Sequence, residues 1–436
     1  MCLGALEEAL YAVDPYRRTL SFLRVKDGQL QTKTHFSTPL SRFSRTLVLA
    51  VGKAGGPMMR AAFEILGSQQ IRGILVAPRG ERALVHDPRI QVFNAGHPIP
   101  DREGLRAGKI VLKAVQRMKA DELLLCMISG GASAMLASPP PEVRLSEEKR
   151  LTECMLTSKA TIHEINTVRR HLSTLKGGQL VEQCRASTIL SLIVSDVPGN
   201  CLPDIASGLT AEDPTTYQDA VDVLKTHDVW NKMPRQIKDH LARGVRGQAP
   251  ETPKPGTASF SRVRNFIIAD STTACTAAKR ALRANSVHVN ILTSSAEMEA
   301  KQMGRLLADL ATKDCGKSYG HSRAIVMGGE TTVEIIGGGK GGRNQESVLW
   351  ATDGIAGLNG TVVAALGTDG IDGNSKAAGA LADGRTSLRA RRRGLDTNRF
   401  LARNDSYRFF RTLNDGLVTG PTGTNVGDLY LMISLL

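Results

Sequence analysis

Short apolar runs alternate with helical patterns along most of the chain, which predicts α/β architecture with parallel sheets. The predicted strands of the first half are 46–51, 71–77, 123–128 and 189–194. Those of the second half are 266–269, 287–292, 324–327, 332–336 and 362–366, and helical patterns cover 58–66, 147–184, 270–283 and 347–352. Because open parallel sheets bind ligands at the carboxyl ends of their strands, we expect functional residues directly after these apolar runs.

One segment interrupts the alternation. Residues 244–259 hold three prolines and three glycines and lack apolar periodicity, which is typical of a linker. We therefore predict two α/β domains, 1–243 and 260–436, joined by this segment. The chain has 436 residues, a length that suits two large α/β domains.

The amino-acid composition limits the kinds of molecule that the protein is expected to bind. Hydrophobic residues are 41% and charged residues 22%, which excludes a disordered chain. The net charge of +14 favours anionic ligands, but aromatic residues are only 4%, too few for platforms on which nucleic-acid bases stack. No apolar run reaches the ~18 residues of a membrane span. We expect small-molecule substrates, no nucleic acid and no membrane, and the sequence leaves the oligomeric state open.

The cysteines and the first residues indicate a compartment. The seven cysteines include no CxxC pair, which argues for reducing conditions and against a disulfide framework or a zinc site. The acids Glu7, Glu8 and Asp14 do not fit a signal or transit peptide. We expect a cytoplasmic protein, and a mitochondrial pool stays open.

The strongest candidate site is the glycine-rich stretch 328–346. Its residues 337–342 include five glycines, whose backbone N–H groups could approach an anion, and a predicted helix follows them. Arg343 offers a planar fork for phosphate or carboxylate oxygens. The stretch contains GxGxxG, but a dinucleotide site also needs an acid near 361–363, where the sequence has none. It does not match a Walker A loop either, because that motif needs Lys and Ser/Thr in place of Arg343 and Asn344. A hairpin turn with a surface arginine is the structural alternative.

Three further motifs follow strands of the first half. VGKAGG at 51–56 places Lys53 where a cation could neutralise a phosphoryl group or hold a carboxylate. SDVPG at 195–199 makes Asp196 a candidate general base or metal ligand. The structural alternatives are a surface lysine on a tight turn and an aspartate that caps a helix or turn. ISGGASA at 128–134 could form an anion nest that includes Ser129, Gly130, Gly131 and Ser133.

Two more segments carry charge. GTDGIDG at 367–373 follows a strand and holds Asp369 and Asp372, hard ligands that suit Mg²⁺ together with substrate phosphates. An Asp-Gly turn with solvated acids is the alternative. NTVRRHLSTLKGG at 166–178 predicts a cationic helix that is followed by a turn. The structural alternative is an exposed helix that ends at a glycine. Its charged and titratable side chains are Arg169, Arg170, His171 and Lys176.

Taken in order, these motifs resemble the glycerate kinase family of the MOFRL type, the glycerate 2-kinases. The resemblance also includes AGHPIPD at 95–101 and GPTGTNVGDL at 420–429, and it spans nearly the whole chain. It implies a Rossmann-like first domain, a smaller α/β second domain and an active site in the cleft between them. It further implies ATP- and Mg²⁺-dependent phosphorylation of D-glycerate, with 2-phosphoglycerate favoured over 3-phosphoglycerate.

The resemblance also implies roles for single residues. Lys53, Asp196 and Arg343 match catalytic positions of the family, and Asp369 and Asp372 are the expected metal ligands. Ala132 stands where a third glycine is usual, and Lys376 follows GTDGIDG where a more acidic stretch is usual. The expected substrate- and nucleotide-binding residues are Ser129, Gly130, Gly131, Ser133, Arg169, Lys176, Glu330, Gly341, Gly342 and Asn344.

Two other classes of function remain as alternatives. A hydroxy-acid oxidoreductase with a dinucleotide on 337–342 would show a nicotinamide absorbance change without ATP. A nucleic-acid-binding module, favoured only by the net charge, would show steeply salt-dependent retention on DNA or RNA.

Overall fold

The computed structural model describes residues 1–67, 70–80, 87–314 and 321–436. The α-helices are α1 Cys2–Ala12, α2 Pro15–Phe22, α3 Gly55–Leu66, α4 Arg102–Gln116, α5 Ala132–Met135, α6 Leu145–Leu156, α7 Ile162–His171, α8 Gln179–Gln183, α9 Tyr217–Thr226, α10 Arg235–Val245, α11 Ser271–Arg283, α12 Ala300–Asp314, α13 Arg343–Thr352, α14 Thr386–Arg392, α15 Thr397–Leu401 and α16 Ser406–Leu413. The strands are β1 Leu23–Lys26, β2 Gln29–Thr32, β3 Ser37–Pro39, β4 Arg45–Val51, β5 Ile71–Pro78, β6 Ile90–Ala95, β7 Glu122–Ser129, β8 Thr188–Val194, β9 Val263–Ala269, β10 His288–Ala296, β11 Arg323–Gly329, β12 Thr361–Gly367, β13 Gly379–Asp383, β14 Gly416–Leu417 and β15 Asp428–Ser434.

The chain divides into two compact units. We call residues Pro15–Ile268 the Rossmann-like unit, and residues Met1–Asp14 together with Ala269–Leu436 the mixed-sheet unit. The division differs from the predicted one, which separated 1–243 from 260–436. Helix α1 belongs with the C-terminal residues, because its buried Ala5, Leu6 and Ala9 face helix α11 in the same unit.

The segment 244–259, predicted as a linker, is an ordered loop inside the Rossmann-like unit. The carbonyl of Pro253 accepts a hydrogen bond from the Asp213 N–H (2.8 Å), and the Thr252 hydroxyl donates to Asp213 Oδ2 (3.0 Å). The Gly256 N–H donates to Glu212 Oε1 (2.8 Å). Prolines and glycines do interrupt regular structure here, but these hydrogen bonds fix the segment to residues 212–213, and composition alone does not report them.

The Rossmann-like unit is built on a six-stranded sheet in the order β6-β5-β4-β7-β8-β9. The pairs β6–β5, β5–β4, β4–β7 and β7–β8 are parallel. The order reverses between β4 and β7, since β5 and β6 extend the sheet on one side and β7 and β8 on the other. In sheets of this order, ligands bind outside the carboxyl ends of the strands at the reversal.

The core of this unit explains why its strands read as continuous apolar runs. Every residue of β7 and β8 is buried, as expected for central parallel strands that are covered on both faces. Helix α4 turns Ala107, Val111 and Val115 toward this core, and Asp101 caps its first turn by accepting from the Gly104 N–H (2.8 Å). A separate antiparallel sheet, β1-β2-β3, lies near the start of the unit.

The mixed-sheet unit contains a second six-stranded sheet in the order β10-β11-β15-β12-β13-β14. The pair β10–β11 is parallel, whereas β11–β15, β15–β12, β12–β13 and β13–β14 are antiparallel. The prediction of a parallel sheet in this half is therefore wrong. The C-terminal strand β15, which the sequence analysis did not predict, inserts between β11 and β12 and reverses the direction at the centre of the sheet.

Most other predicted elements appear close to their predicted positions. Eight of the nine predicted strands are present; the exception is 332–336, where Thr332 forms a single bridge with Glu299. The helical region 147–184 consists of α6, α7 and α8. Within the described ranges, no helix combines the length and hydropathy that a membrane span requires.

Candidate active site

Lys53 and Asp196 flank Gly130 at the point where the strand order reverses. Lys53 follows β4, and its backbone N–H donates to the carbonyl of Gly130 (3.0 Å), which follows the neighbouring strand β7. Asp196 follows β8, which pairs with β7 on its other side. The sequence predicted that all three residues stand at strand ends, and the strand order brings them to one edge.

Glycine is required at the centre of this edge. A Cβ atom on Gly130 would overlap the Asp196 carboxylate, so the carboxylate lies directly against the backbone. Gly131 has φ +86°, a conformation that favours glycine, and a Cβ atom there would stand 3.2 Å from His97 Cδ2. His97 belongs to the AGHPIPD motif and was not predicted as a site residue. The motif match was the signal that could have found it.

Ser129 holds the turn that carries Lys53. Its side chain is fully buried, its Oγ accepts from the Ala54 N–H (2.9 Å), and its hydroxyl lies 3.4 Å from the Val51 carbonyl. The hydroxyl is thus engaged within the protein. This geometry supports a positioning role for Ser129 rather than the predicted contact with a substrate.

Ser133 begins a buried chain of hydroxyl and amide groups. Its Oγ lies 2.8 Å from Ser207 Oγ, which lies 2.8 Å from Asn166 Oδ1. Asn166 Nδ2 in turn donates to the Asp204 carbonyl (3.1 Å). Ser207 has φ +54°, a left-handed conformation that costs a non-glycine residue free energy, so the surrounding contacts hold it there. Ser207 and Asn166 are polar site residues that the sequence analysis did not single out.

A second cationic group lies in the same unit. Lys176 is only 2% exposed, and its Nζ is 3.5 Å from Glu148 Oε1. Burial lowers the pKa of Lys176 against the pull of Glu148, and burial lowers the pKa of Arg169 as well. Glu148 Oε2 is buried without a hydrogen-bond partner among the described residues. Glu148 thus attracts the charges of both Lys176 and Arg169.

Arg170, the neighbour of Arg169, has a different role. Its buried guanidinium donates to the Pro203 carbonyl (2.9 Å) and to Asp204 Oδ1 (3.1 Å), and its Nε lies 2.9 Å from Asp213 Oδ1. These partners compensate its charge, so Arg170 is part of the structural core. Sequence alone could not separate the two adjacent arginines, because the helix face that each occupies depends on packing.

In the mixed-sheet unit, Arg343 lies at the start of α13 and forms a fork with Asp428. Arg343 Nε is 2.6 Å from Asp428 Oδ2 and its NH2 is 3.2 Å from Oδ1, while NH1 is 2.8 Å from Glu330 Oε1. Burial disfavours the charge, but Asp428 and Glu330 outweigh burial and raise the pKa of Arg343. The ion pairs hold the guanidinium in one orientation, and the Arg343 side chain is one-third exposed. Asp428 was not predicted as a site residue.

Asp372 anchors the first turn of α13. Its Oδ1 accepts from the Asn344 N–H (3.0 Å), and its Oδ2 accepts from the Gln345 N–H and from Gln345 Nε2 (both 2.8 Å). Burial raises the pKa of Asp372 to about 6, although these hydrogen bonds lower it. Both carboxylate oxygens are therefore occupied, and Asp372 does not fit the predicted role of a metal ligand.

The backbone of the glycine-rich loop is largely satisfied from within the unit. The Ile336 and Gly337 N–H groups donate to Asn404 Oδ1 (2.8 and 2.9 Å), and the Gly341 N–H donates to Asn374 Oδ1 (2.9 Å). The N–H groups of residues 339 and 340 donate to the backbone of residue 403 (2.8 Å) and the side chain of residue 405 (3.1 Å). The predicted open nest of backbone N–H groups over 337–341 is thus already occupied.

The side-chain amide of Asn404 fixes this loop through both its oxygen and its nitrogen. Besides the two hydrogen bonds that its Oδ1 accepts, its Nδ2 donates to the Glu334 carbonyl (3.1 Å) and to Glu346 Oε2 (3.0 Å). Its φ of +50° is left-handed, a conformation that asparagine tolerates better than most residues. Sequence gave no indication of Asn404, because it lies 67 residues beyond Gly337, whose N–H donates to it.

The remaining candidates for a metal are few. Asp369 is half-buried, and its Oδ1 accepts from the Ile371 N–H (3.1 Å). Asn344 Oδ1 is a buried acceptor without a partner among the described residues, and Mg²⁺ takes amide as well as carboxylate oxygens. The described part of the chain holds no group of three or more acidic, histidine or cysteine side chains arranged around one metal position. The donor set therefore fits only a metal that draws further ligands from phosphates or water.

Two family models match the chain: the "Domain of unknown function (DUF4147)" model covers residues 1–242 and the "MOFRL family" model covers residues 323–428. The glycerate 2-kinase of Pyrococcus horikoshii is 38% identical over 434 residues, which cover 99% of this chain and 96% of that protein. The chain belongs to the MOFRL-type glycerate kinase family. The predicted family is thereby confirmed.

Other relatives extend this finding to the fold. A crystal structure of a glycerate kinase from Thermotoga maritima is 33% identical in sequence and matches with a TM-score of 0.83, covering 99% of this chain and 98% of that one. The predicted α/β fold class is confirmed. A relative from Agrobacterium vitis, 37% identical over 89% of this chain and 87% of its own length, is provisionally named a hydroxypyruvate reductase.

Proposed function

We propose that this protein is a glycerate kinase that transfers the γ-phosphoryl group of ATP to D-glycerate. The observation that carries the proposal is the pair Lys53 and Asp196, which flank Gly130 at the reversal point of the sheet in a chain of this family. Phosphoryl transfer needs little covalent help from a protein, and positioned charges supply most of the catalysis.

Asp196 and Lys53 have complementary roles in this reaction. The glycerate hydroxyl oxygen forms a bond to the γ-phosphorus, the bond from that phosphorus to the β–γ bridging oxygen breaks, and ADP leaves. The hydroxyl proton passes to the Asp196 carboxylate, which acts as general base. Lys53 stabilises negative charge on the transferring group. Gly130 lets the carboxylate lie against the backbone, which fixes its position.

Arg169 and Lys176 are suited to the carboxylate of glycerate. The two cations share the single carboxylate of Glu148, so a bound anion would restore the balance of charge. Gly177, which follows Lys176, donates its N–H to the Ser207 carbonyl (2.9 Å), and Ser207 reaches Ser133. A continuous set of contacts therefore connects the cations with the loop that carries Gly130.

Arg343 is the proposed cation for the phosphate groups in the mixed-sheet unit. Asp428 holds its fork on one side, and the raised pKa keeps it charged at any physiological pH. Gly342, Asn344 and Glu330 remain proposed contacts of the nucleotide site. Gly341 is omitted from these contacts, because its N–H donates to Asn374 and Ser406 fills the space beside its Cα.

Mg²⁺ is proposed as the second cofactor, and Asp369, with the Asn344 amide oxygen, would hold it together with phosphate oxygens. A bound Mg²⁺ supplies positive charge that neutralises the phosphates during transfer. Asp372 is omitted from this set, because its oxygens anchor α13.

The oxidoreductase alternative is not favoured. A dinucleotide on 337–342 would require free backbone N–H groups at the pyrophosphate, but those of 337, 339, 340 and 341 donate to other residues of the protein. The sequence also has no acid near 361–363, which argues against a dinucleotide site as well.

A coupled ADP-release assay tests the proposal. We expect turnover only when ATP, D-glycerate and Mg²⁺ are all present, and we expect Asp369→Asn to require a higher Mg²⁺ concentration. The ³¹P signal of the product distinguishes the two positions, since a phosphate on C2 couples to one proton and a phosphate on C3 to two. We expect the doublet of 2-phosphoglycerate. Oxidation of a hydroxy acid with NAD and without ATP would contradict the kinase assignment.

A further inference from the structure

A large basic groove lies at the opposite edge of the parallel sheet in the Rossmann-like unit. It is lined by the first residues of four strands, Arg45 of β4, Ile71 of β5, Ile90 of β6 and Glu122 of β7, and by the last turn of α4. Its volume is about 860 Å³. Sites for small molecules typically enclose roughly 300–1,000 Å³, so the groove has room for a ligand of that size.

The charges around the groove are strongly unbalanced. Among the described residues, five cations line it, Arg45, Arg72, Arg89, Lys113 and Arg117, against the one carboxylate of Glu122. The oxygens of that carboxylate already face the Lys119 N–H (3.3 Å) and Arg45 Nε (3.7 Å). The guanidinium of Arg89 is paired with Asp87, with NH2 2.6 Å from Oδ2 and Nε 3.0 Å from Oδ1.

The other three cations have no such compensation. The side chains of Arg72, Lys113 and Arg117 make no hydrogen bond or ion pair with any of the residues that the structure describes. Lys113 and Arg117 stand near the C-terminal end of α4, where cations interact favourably with the helix dipole. Arg72 lies in strand β5 and has no comparable structural role. Three uncompensated positive charges around one hollow raise its potential and attract anions.

The floor of the groove is apolar. Leu47, Ile74, Ile110 and Met118 line it below the charged rim. An apolar floor under a cationic rim favours a ligand that has an apolar or ring-shaped body and carries its charges at the periphery, because each part then meets a matching surface.

The groove is distinct from the candidate active site. Strand β4 runs from Arg45 in the groove to Val51, which precedes Lys53, and seven residues of strand span about 20 Å. A ligand in the groove therefore does not touch Lys53, Gly130 or Asp196.

We propose that this basic groove is a second binding site, which takes a small molecule with at least two negative charges borne by phosphate or carboxylate groups. The proposal does not rest on the kinase function, since no residue of the groove belongs to the proposed active site.

Arginine-selective labelling of the purified full-length protein with phenylglyoxal, read by peptide mass spectrometry, tests the site directly. We expect tripolyphosphate to slow the modification of Arg72 and Arg117 at least fivefold. Arg235 lies on α10 away from the groove, and its labelling should not change. Citrate serves as the second anion. Protection by tripolyphosphate alone assigns the site to phosphates, and equal protection by citrate extends it to polycarboxylates.

A matched pair of variants separates specific binding from the general field of a basic protein. Lys113→Gln removes one groove cation without changing an arginine, and we expect the anion concentration for half-protection of Arg72 to rise about tenfold. Lys109 is exposed on the same helix but does not line the groove, so Lys109→Gln should shift that concentration less than twofold. Absence of protection by either anion, or equal shifts in the two variants, would overturn the proposal. ADP release should be unchanged in both variants.

Discussion

The segments 129–133 and 336–342 are both rich in glycine, but their glycines admit different neighbours. At Gly130 the missing side chain admits the carboxylate of Asp196, a proposed catalytic group. At Gly337, Gly339 and Gly341 the missing side chains admit residues 403–406, whose backbone and side chains contact the loop. Glycine therefore marks close approach in both segments, but only the three-dimensional neighbour tells whether the approach serves chemistry or packing.

The largest effect is expected at Asp196. Asp196→Asn keeps the size of the side chain but cannot accept a proton, so kcat should fall about 10²–10⁴-fold while the fold is retained. Steady-state kinetics with circular dichroism as a control for folding measure this. Partial rescue by raised Mg²⁺ would assign Asp196 to the metal, and wild-type turnover would remove it from the mechanism.

The next largest effects are expected for the proposed catalytic cations, Lys53 of the Rossmann-like unit and Arg343 of the mixed-sheet unit. Lys53→Ala and Arg343→Ala should each lower kcat about 10²–10³-fold, because each removes a positive charge that is proposed to act on phosphate groups. Arg343→Ala should also lower the melting temperature, since it leaves the buried Asp428 without its ion pair. A variant with near-normal kcat would identify its residue as structural.

The glycine comparison can be tested with one methyl group at each segment. Gly130→Ala should lower kcat by about 10² or more, because the new Cβ displaces the Asp196 carboxylate and small misplacements of a catalytic group have effects of this size. Gly338→Ala is the matched control: no atom stands within 4 Å of its Cβ position. Equal losses in the two variants would refute the distinction between the segments.

The pH dependence of stability tests the anchor at α13. The pKa of Asp372 is raised from 3.8 to about 6, so the folded state holds this proton more tightly than the unfolded state. Stability from this group is therefore lost as the pH rises from about 4 to about 6, by up to ~3 kcal/mol. Urea unfolding across this range should show the loss in the wild type and a smaller one in Asp372→Asn. Identical pH profiles would contradict the assignment.

The smallest effect is expected for Asn404, which fixes the glycine-rich loop. Asn404→Ala leaves the Ile336 and Gly337 N–H groups without their acceptor, which should lower the free energy of unfolding by about 1–3 kcal/mol. The loop precedes Arg343, so KM for ATP should rise more than KM for D-glycerate. Asn398, which lies on α15, provides a control position, and Asn398→Ala should leave both KM values unchanged. Equal changes in the two KM values would contradict a local effect on the nucleotide site.

Local residue patterns were sufficient for much of the fold. The buried strands of the parallel sheet read as apolar runs, because central parallel strands are covered on both faces. The strand ends that precede Lys53, Gly130 and Asp196 were identifiable because each apolar run stops at a small residue, Gly52, Ser129 or Ser195. The antiparallel pairing of β15 with β11 and β12 was not predictable, because an apolar run does not reveal the direction in which a strand will pair.

Sequence by itself thus determined the family, the α/β class and the residue types of the candidate site, since these depend on motifs and on periodicity along the chain. Tertiary structure alone decided which of two adjacent arginines is tied into the core, that Asp372 anchors a helix, and that Asn404 binds Ile336, 68 residues away. The physical reason is that burial and hydrogen-bond partners are set by residues distant in sequence. A carboxylate, an amide or a guanidinium acquires its role only from those neighbours.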